Sequence, residues 1–169
     1  MPNHIQNILD VNAKSVEDLN YFLSAIEGEN EEGQKKPIDF NKIVPECGDK
    51  DWYTWRLNHW GTKWNAYNTD LYRADTYACI SFQTAWSGVP ELIRKLTEMF
   101  PSLSFHYRYA DEDVAYNCGE GYTDEDGKFV FTRAGGGSDA AFDLYIECWG
   151  EDRNSFVKGE YGWEYKWEE

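Results

Sequence analysis

Thr76-Tyr-Ala-Cys-Ile-Ser-Phe-Gln-Thr-Ala-Trp-Ser-Gly-Val-Pro-Glu-Leu-Ile-Arg-Lys-Leu-Thr-Glu-Met-Phe-Pro-Ser-Leu-Ser-Phe-His-Tyr-Arg-Tyr109 contains a change of hydrophobic period, and that change sets the fold class. Residues 76–84 alternate apolar and polar and read as a central strand. Val89, Leu92, Ile93, Leu96, Met99 and Phe100 then recur at helical spacing, with Pro90 in the first turn, where a missing N–H costs nothing. Leu103, Phe105, Tyr107 and Tyr109 alternate again, so residues 102–109 read as a second strand with one aromatic face.

Upstream, residues 4–12 form an opening strand with Ile5, Leu9 and Val11 on one face. Ser15 caps a helix carrying Val16, Leu19, Phe22, Leu23 and Ile26, which Gly28 stops. Residues 27–37, rich in Glu, Gly and Lys, read as a mobile loop. Ile38 to Pro45 reads as an edge strand or extended lead-in. Asp51 caps a short helix from Trp52 to about Trp60 that ends at Gly61. Downstream, Val114–Cys118 and Lys128–Arg133 read as a hairpin around Gly119-Glu120-Gly121 and Asp126-Gly127. A glycine-rich break at 134–138 precedes a helix over 140–149, and the tail from Gly150 is acidic with spaced aromatics.

The order strand, helix, strand, strand, helix, strand predicts an α+β, ferredoxin-like βαββαβ antiparallel sheet with helices on one face. A short Trp-rich helical insertion (about 38–70) and a β-rich acidic C-terminal extension complete the expected domain. The boundaries are 1–120 for the ferredoxin-like part and 121–169 for the extension, packed on the same domain. At 169 residues with 17% aromatics the chain is globular, and no apolar run is long enough to span a membrane. Its N-terminus has neither the basic start nor the apolar stretch of a secretion signal, so a soluble, intracellular protein of the cytoplasm is expected.

The formal charge is −15, and residues 101–169 carry −10 of it, with 6 basic and 16 acidic groups. Such a field opposes phosphate binding, so a nucleic-acid partner is not expected. It suits solubility or a basic protein surface. Phe105, Tyr107 and Tyr109 alternate as RNA-stacking aromatics would, but the basic-Gly-aromatic signature is absent from that strand. Cys47, Cys79, Cys118 and Cys148 lack ribbon or redox spacing and read as reduced, packed thiols. The same reading predicts no metal and no cofactor.

Enzyme motifs are absent: there is no phosphate loop, no His-Glu-x-x-His and no nucleophile elbow. Gly135-Gly136-Gly137-Ser138 reads as a connector rather than a phosphate cradle, and Asp111 and Asp113 as turn residues rather than an acid–base pair. The expected protein is not an enzyme.

The densest signal is Asp51-Trp-Tyr-Thr-Trp-Arg-Leu-Asn-His-Trp-Gly-Thr-Lys-Trp64. On a helix Trp52, Trp55, Arg56 and His59 share neighbouring rows, and Gly61 returns Lys63 and Trp64 beside them. Two readings stay open: an aromatic lid over the sheet, or a surface that contacts a ligand or partner. The candidate binding residues are Trp52, Trp55, Arg56, Asn58, His59, Trp60, Lys63, Trp64 and Trp86.

This segment, with Phe40-Asn-Lys-Ile-Val-Pro45 before it and Phe82-Gln-Thr-Ala-Trp-Ser87 after it, resembles the YubB-type ferredoxin-like domain family of phages and plasmids. Met1-Pro-Asn-His-Ile-Gln-Asn7 is similar to the family's opening, where Met-x-Asn-Trp is usual, with His4 replacing that Trp. Asp111-Glu-Asp113 and Tyr116-Asn-Cys-Gly119 resemble its later strand and turn. The resemblance implies a ferredoxin-like fold and a mobile-element origin, and it supplies no catalytic residue. The expected function is that of a non-enzymatic phage or mobile-element accessory protein. It would bind a host macromolecule, a host-defence component among the candidates, through an acidic and aromatic surface. The alternative is a small-molecule or nucleotide binder using the Trp-rich pocket.

Overall fold

The computed structural model describes residues 2–48 and 50–167. Met1 of the quoted opening, and Glu168 and Glu169 of the acidic tail, lie outside the described residues. Strand β1 (His4–Asn12) buries Ile5, Asn7, Leu9 and Val11 on alternate positions. Helix α1 (Val16–Ile26) begins where Ser15 Oγ accepts a hydrogen bond from the Asp18 N–H at 3.1 Å. It buries Leu19, Phe22, Leu23 and Ile26, while Val16 in its first turn stays exposed.

Residues 27–37, expected as a loop, form a small ladder of β2 (Gly28–Glu29) and β3 (Lys35–Lys36). Asn30 Oδ1 accepts from the N–H groups of Glu32 (3.0 Å) and Gln34 (2.9 Å), fixing the turn between them. The expected strand or lead-in at 38–45 is instead a 3-10 turn at Phe40–Lys42, because the Asp39 carboxylate takes the Asn41 N–H at 3.0 Å and bends the chain. Ile38, Phe40 and Ile43 still reach the core.

Helix α2 (Trp52–His59) runs from Asp51 to a reversal at Gly61, whose φ of +77° is the left-handed region that favours glycine. Strand β4 (Tyr67–Ala74) follows and pairs with β5 (Tyr77–Ala85). Sequence reasoning missed β4. It is an edge strand with largely exposed side chains and a bulge between Tyr67 and Asp70, so its alternation is weak.

Helix α3 (Pro90–Met99) and strand β6 (Ser104–Asp111) match their expected positions closely. Of the predicted stripe of α3, only Met99 is exposed. Strands β7 (Cys118–Thr123) and β8 (Phe129–Ala134) make the hairpin, but its first strand lies several residues later than expected. Gly119 and Gly121, read as turn residues, are inside β7. A Cβ on Gly121 would sit 2.3 Å from the ring of Phe129, so glycine there lets an aromatic ring lie against the strand. Helix α4 (Asp139–Trp149) starts on the Ser138 side chain, which accepts from Ala141 N–H at 3.1 Å. The described chain ends in a two-stranded sheet of β9 (Phe156–Gly159) and β10 (Gly162–Tyr165).

The molecule is thus α+β, with four α-helices among the described residues and a six-stranded antiparallel sheet ordered β4-β5-β1-β6-β7-β8. On one face Leu9, Ile80, Phe105 and Tyr107 pack with Phe22 of α1 and Ile93 and Leu96 of α3. The expectation of helices on one face is corrected by α4. It covers the other face, where Ala110 joins Phe142 and Leu144, and Arg108 Nη1 donates to Glu147 at 3.0 Å. Both faces of β6 are therefore occupied, which its alternation of aromatic with His106 and Arg108 did not reveal.

Candidate functional site

The Trp-rich segment is tied to the sheet by polar groups as well as by packing. Asn7 is fully buried on β1 and donates through Nδ2 to Thr84 Oγ1 at 3.0 Å, while its Oδ1 accepts from the Tyr107 hydroxyl. Thr84 Oγ1 donates to the Ser87 carbonyl at 2.6 Å, Ser87 Oγ to the Gly61 carbonyl at 2.5 Å, and buried Thr62 Oγ1 to the Ala85 carbonyl at 2.8 Å. The stretch Trp60-Gly-Thr is latched in this way onto the β5–α3 loop. In that loop Trp86 takes a left-handed φ of +67° while its N–H donates to Asn3 O at 3.0 Å.

Trp60 is completely buried, packs edge-on against Phe40 at 5.7 Å and donates Nε1–H to the Val44 carbonyl at 2.9 Å. It is core. Trp55 is half-buried, meets Trp60 edge-on and stacks on His59 at 4.3 Å, and His59 Nδ1 lies 2.8 Å from the Trp55 carbonyl. Trp52 is exposed, and the Arg56 guanidinium lies between it and Trp60, 4.9 Å and 5.2 Å from their centroids. Glu46 receives that guanidinium in a two-point contact of 2.9 and 3.1 Å. Lys63 lies 4.8 Å from the Trp64 ring and 5.1 Å from that of Trp86. Asn58 is exposed on the outer side of α2, away from these contacts. The other predicted residues form two groups, Arg56 with Trp52, Trp55, His59 and Trp60, and Lys63 with Trp64 and Trp86. Each group holds one of the chain's own cations against two indoles.

An open cleft of about 410 Å3 lies beside this cluster, walled by His4, Glu31, Arg56, Trp64, Asn65 and Tyr67. His4 Nδ1 is 2.6 Å from the Tyr67 hydroxyl, and the two rings meet edge-on, so His4 packs here.

The remaining candidate groups have structural partners. Asp111 is buried and accepts from Asn3, Asn117 and the Asp113 N–H at 2.9–3.0 Å, which fixes the turn between β6 and β7. Burial pushes the Cys118 thiol up to about 12 and raises those of Cys148 and Cys79, leaving all three protonated and weakly nucleophilic at neutral pH. On the sheet face beside α4, Asp10 accepts from Tyr77 and from Arg108 Nη2 at 2.6 Å. The Tyr77 hydroxyl is consequently held protonated, chiefly by its bond to Asp10. No group of three or more His, Cys, Asp or Glu side chains among the described residues is placed to hold a metal ion. Among the described residues, no helix is long and apolar enough to cross a membrane.

A second aromatic cluster was not anticipated. Tyr116, Trp163, Tyr165 and Trp167 wall an open cleft of about 550 Å3 with Val114. Asp113 and Glu164 supply its charge, and among the described residues no lysine or arginine lines it. Trp163 lies flat on Phe142 of α4, with centroids 3.8 Å apart and planes at 5°, and Tyr165 packs on Phe156 at 4.3 Å. The only sequence trace of this cleft was the spaced aromatics of the acidic tail.

A family model described as a ferredoxin-like domain in Api92-like protein matches residues 59–157. The match runs from the end of α2 to the start of the terminal two-stranded sheet, which is more than half of the chain. Neither a curated protein nor a solved structure matches. The chain belongs to this ferredoxin-like domain family.

Proposed function

We propose that this member of the ferredoxin-like domain family is a non-enzymatic accessory protein that binds a basic protein partner through its acidic C-terminal layer. The observation that carries the reading is the contrast between charge and site. Residues 101–169 hold 16 acidic groups against 6 basic ones, while the buried thiols, Asp111 and Tyr77 are occupied in structure rather than poised for chemistry. Electrostatic complementarity of this kind raises association rate and partner selectivity more than raw affinity.

The finer fold reading belongs to the same proposal. The units β1, α1, β4, β5, α3 and β6 correspond to a ferredoxin-like βαββαβ core, to which β7, β8, α4 and the terminal sheet add an acidic extension. The resemblance to YubB-type proteins supports a phage or plasmid origin, action in the host cytoplasm and a host protein, such as a defence component, as partner.

The test is capture of partners from host lysate at low and at physiological salt, with the wild type beside a variant carrying Asp124→Asn, Glu125→Gln, Asp126→Asn, Glu151→Gln and Asp152→Asn. The amides keep the local hydrogen-bond acceptors and remove five charges. Loss of capture, greatest at low salt, is expected. Equal capture by both proteins overturns the electrostatic reading.

The 410 Å3 cleft favours a second reading, a nucleotide stacked on Trp64 with its phosphate at Arg56. Against it, the guanidinium is already neutralised by Glu46. Quenching of Trp fluorescence by ATP, lost in Trp64→Ala, would favour the nucleotide, and an unchanged spectrum up to millimolar ATP would remove it.

A further inference from the structure

We infer that the cleft between the β6–β7 turn and the terminal sheet binds the ammonium group of a lysine side chain on a partner protein. This deepens the partner reading above and rests on it for the source of the ammonium. Aromatic faces attract cations through their quadrupoles, and the attraction grows when neighbouring carboxylates add charge and the site is partly dry. The cleft supplies the rings and the charge, with four aromatic residues on its walls beside Asp113 and Glu164. Its volume of about 550 Å3 falls within the roughly 300–1,000 Å3 of ordinary ligand clefts.

Two observations separate this cleft from an accidental hollow. First, its walls are held from behind: Trp163 is stacked on Phe142, Tyr165 packs tilted at 36° on Phe156, and the Tyr116 hydroxyl donates to the Tyr161 carbonyl at 3.0 Å. Preorganised walls lower the ordering cost of binding. Second, the protein uses the same chemistry on itself at several of its aromatic clusters. Arg56 lies between two indoles with Glu46, and Lys63 between two more. Lys158, which does not line the cleft, holds its ammonium 5.8 Å from Trp163 and 2.9 Å from Asp139. The cleft has the rings and the acids but, among the described residues, no lysine or arginine of its own on its walls.

The test uses the full-length chain and follows the tryptophan indole N–H signals by NMR during titration with a Gly-Lys-Gly-Lys-Gly peptide. The same peptide with both lysines acetylated is the control, and tetramethylammonium and spermidine are separate arms. Trp167 is 89% exposed, so Trp167→Ala leaves the fold intact, and Glu164→Gln removes a charge without changing shape. Saturable shifts at Trp163 and Trp167 are expected with the lysine peptide and not with the acetylated one, with affinity falling about fivefold in either variant. Equal affinity of the wild type and both variants overturns the site while leaving a basic partner possible elsewhere on the acidic layer. Binding of the free cations but not of the peptide overturns the lysine assignment. No shift with any probe overturns the cleft as a cation site, whereas the lysate capture above decides separately on the partner reading.

Discussion

The protein has two aromatic clusters, and they differ in what they leave undone. Around α2, four indoles flank Arg56 and Lys63, and the backbone beside them is bonded to the end of β5 and the loop after it through Thr62 and Ser87. At the other end, Tyr116, Trp163, Tyr165 and Trp167 line an open cleft with Asp113 and Glu164. The one cation of the chain over one of their rings, among the described residues, is Lys158, 5.8 Å from the Trp163 ring and not on the cleft walls. Aromatic density therefore does not by itself mark a site. The distinguishing property is whether the chain already supplies the groups that the rings and charges would otherwise take from outside.

The most damaging change predicted by this contrast is Trp60→Ala. It removes a wholly buried indole, its edge contact with Phe40 and its bond to Val44, and is expected to cost about 3–5 kcal/mol in urea unfolding. A cost under about 1 kcal/mol would mean that the Trp-rich segment is not part of the core, and would break the comparison. Next comes Thr62→Val, which deletes the latch to the Ala85 carbonyl while that acceptor keeps the Ser87 N–H at 2.9 Å. It is expected to cost about 0.5–1.5 kcal/mol by the same measurement.

How far these differences could be read from the chain depends on the distance in sequence between the groups involved. Helices α1, α2, α3 and α4 and strands β1 and β6 were legible because each carries its own cap or its own apolar period. Strand β4 was not, since an exposed edge gives little alternation, and Gly119 and Gly121 read as a turn because the rings that need them, on Tyr109, Phe129 and Phe131, lie in other strands. The same rule holds for function. The Trp52–Trp64 cluster was visible as a run of letters and Trp86 was grouped with it, but its closure by Glu46 was not. The second cleft joins residues 113–116 to residues 163–167, a pairing that only the packing of α4 under the terminal sheet creates.

The two smallest effects sharpen the comparison most, because they move binding in opposite directions at nearly constant stability. Lys63→Ala removes an ammonium from between Trp64 and Trp86 and should cost about 0.5–1 kcal/mol. It also leaves two indoles without their cation, so tetramethylammonium should now perturb the Trp64 and Trp86 indole signals, which it leaves unmoved in the wild type. Trp167→Ala alters a side chain that is 89% exposed and should change unfolding free energy by less than about 0.5 kcal/mol while weakening the lysine peptide. If Lys63→Ala gains no cation response, the lysine was not filling a cage, and the distinction between a closed and an open cluster fails at its closed end. If Trp167→Ala unfolds the terminal sheet, that ring belongs to the core and the distinction fails at its open end. Only the crossed result, one cation site gained and one lost with stability almost unchanged, requires that occupancy by the chain's own cations is what separates the two clusters.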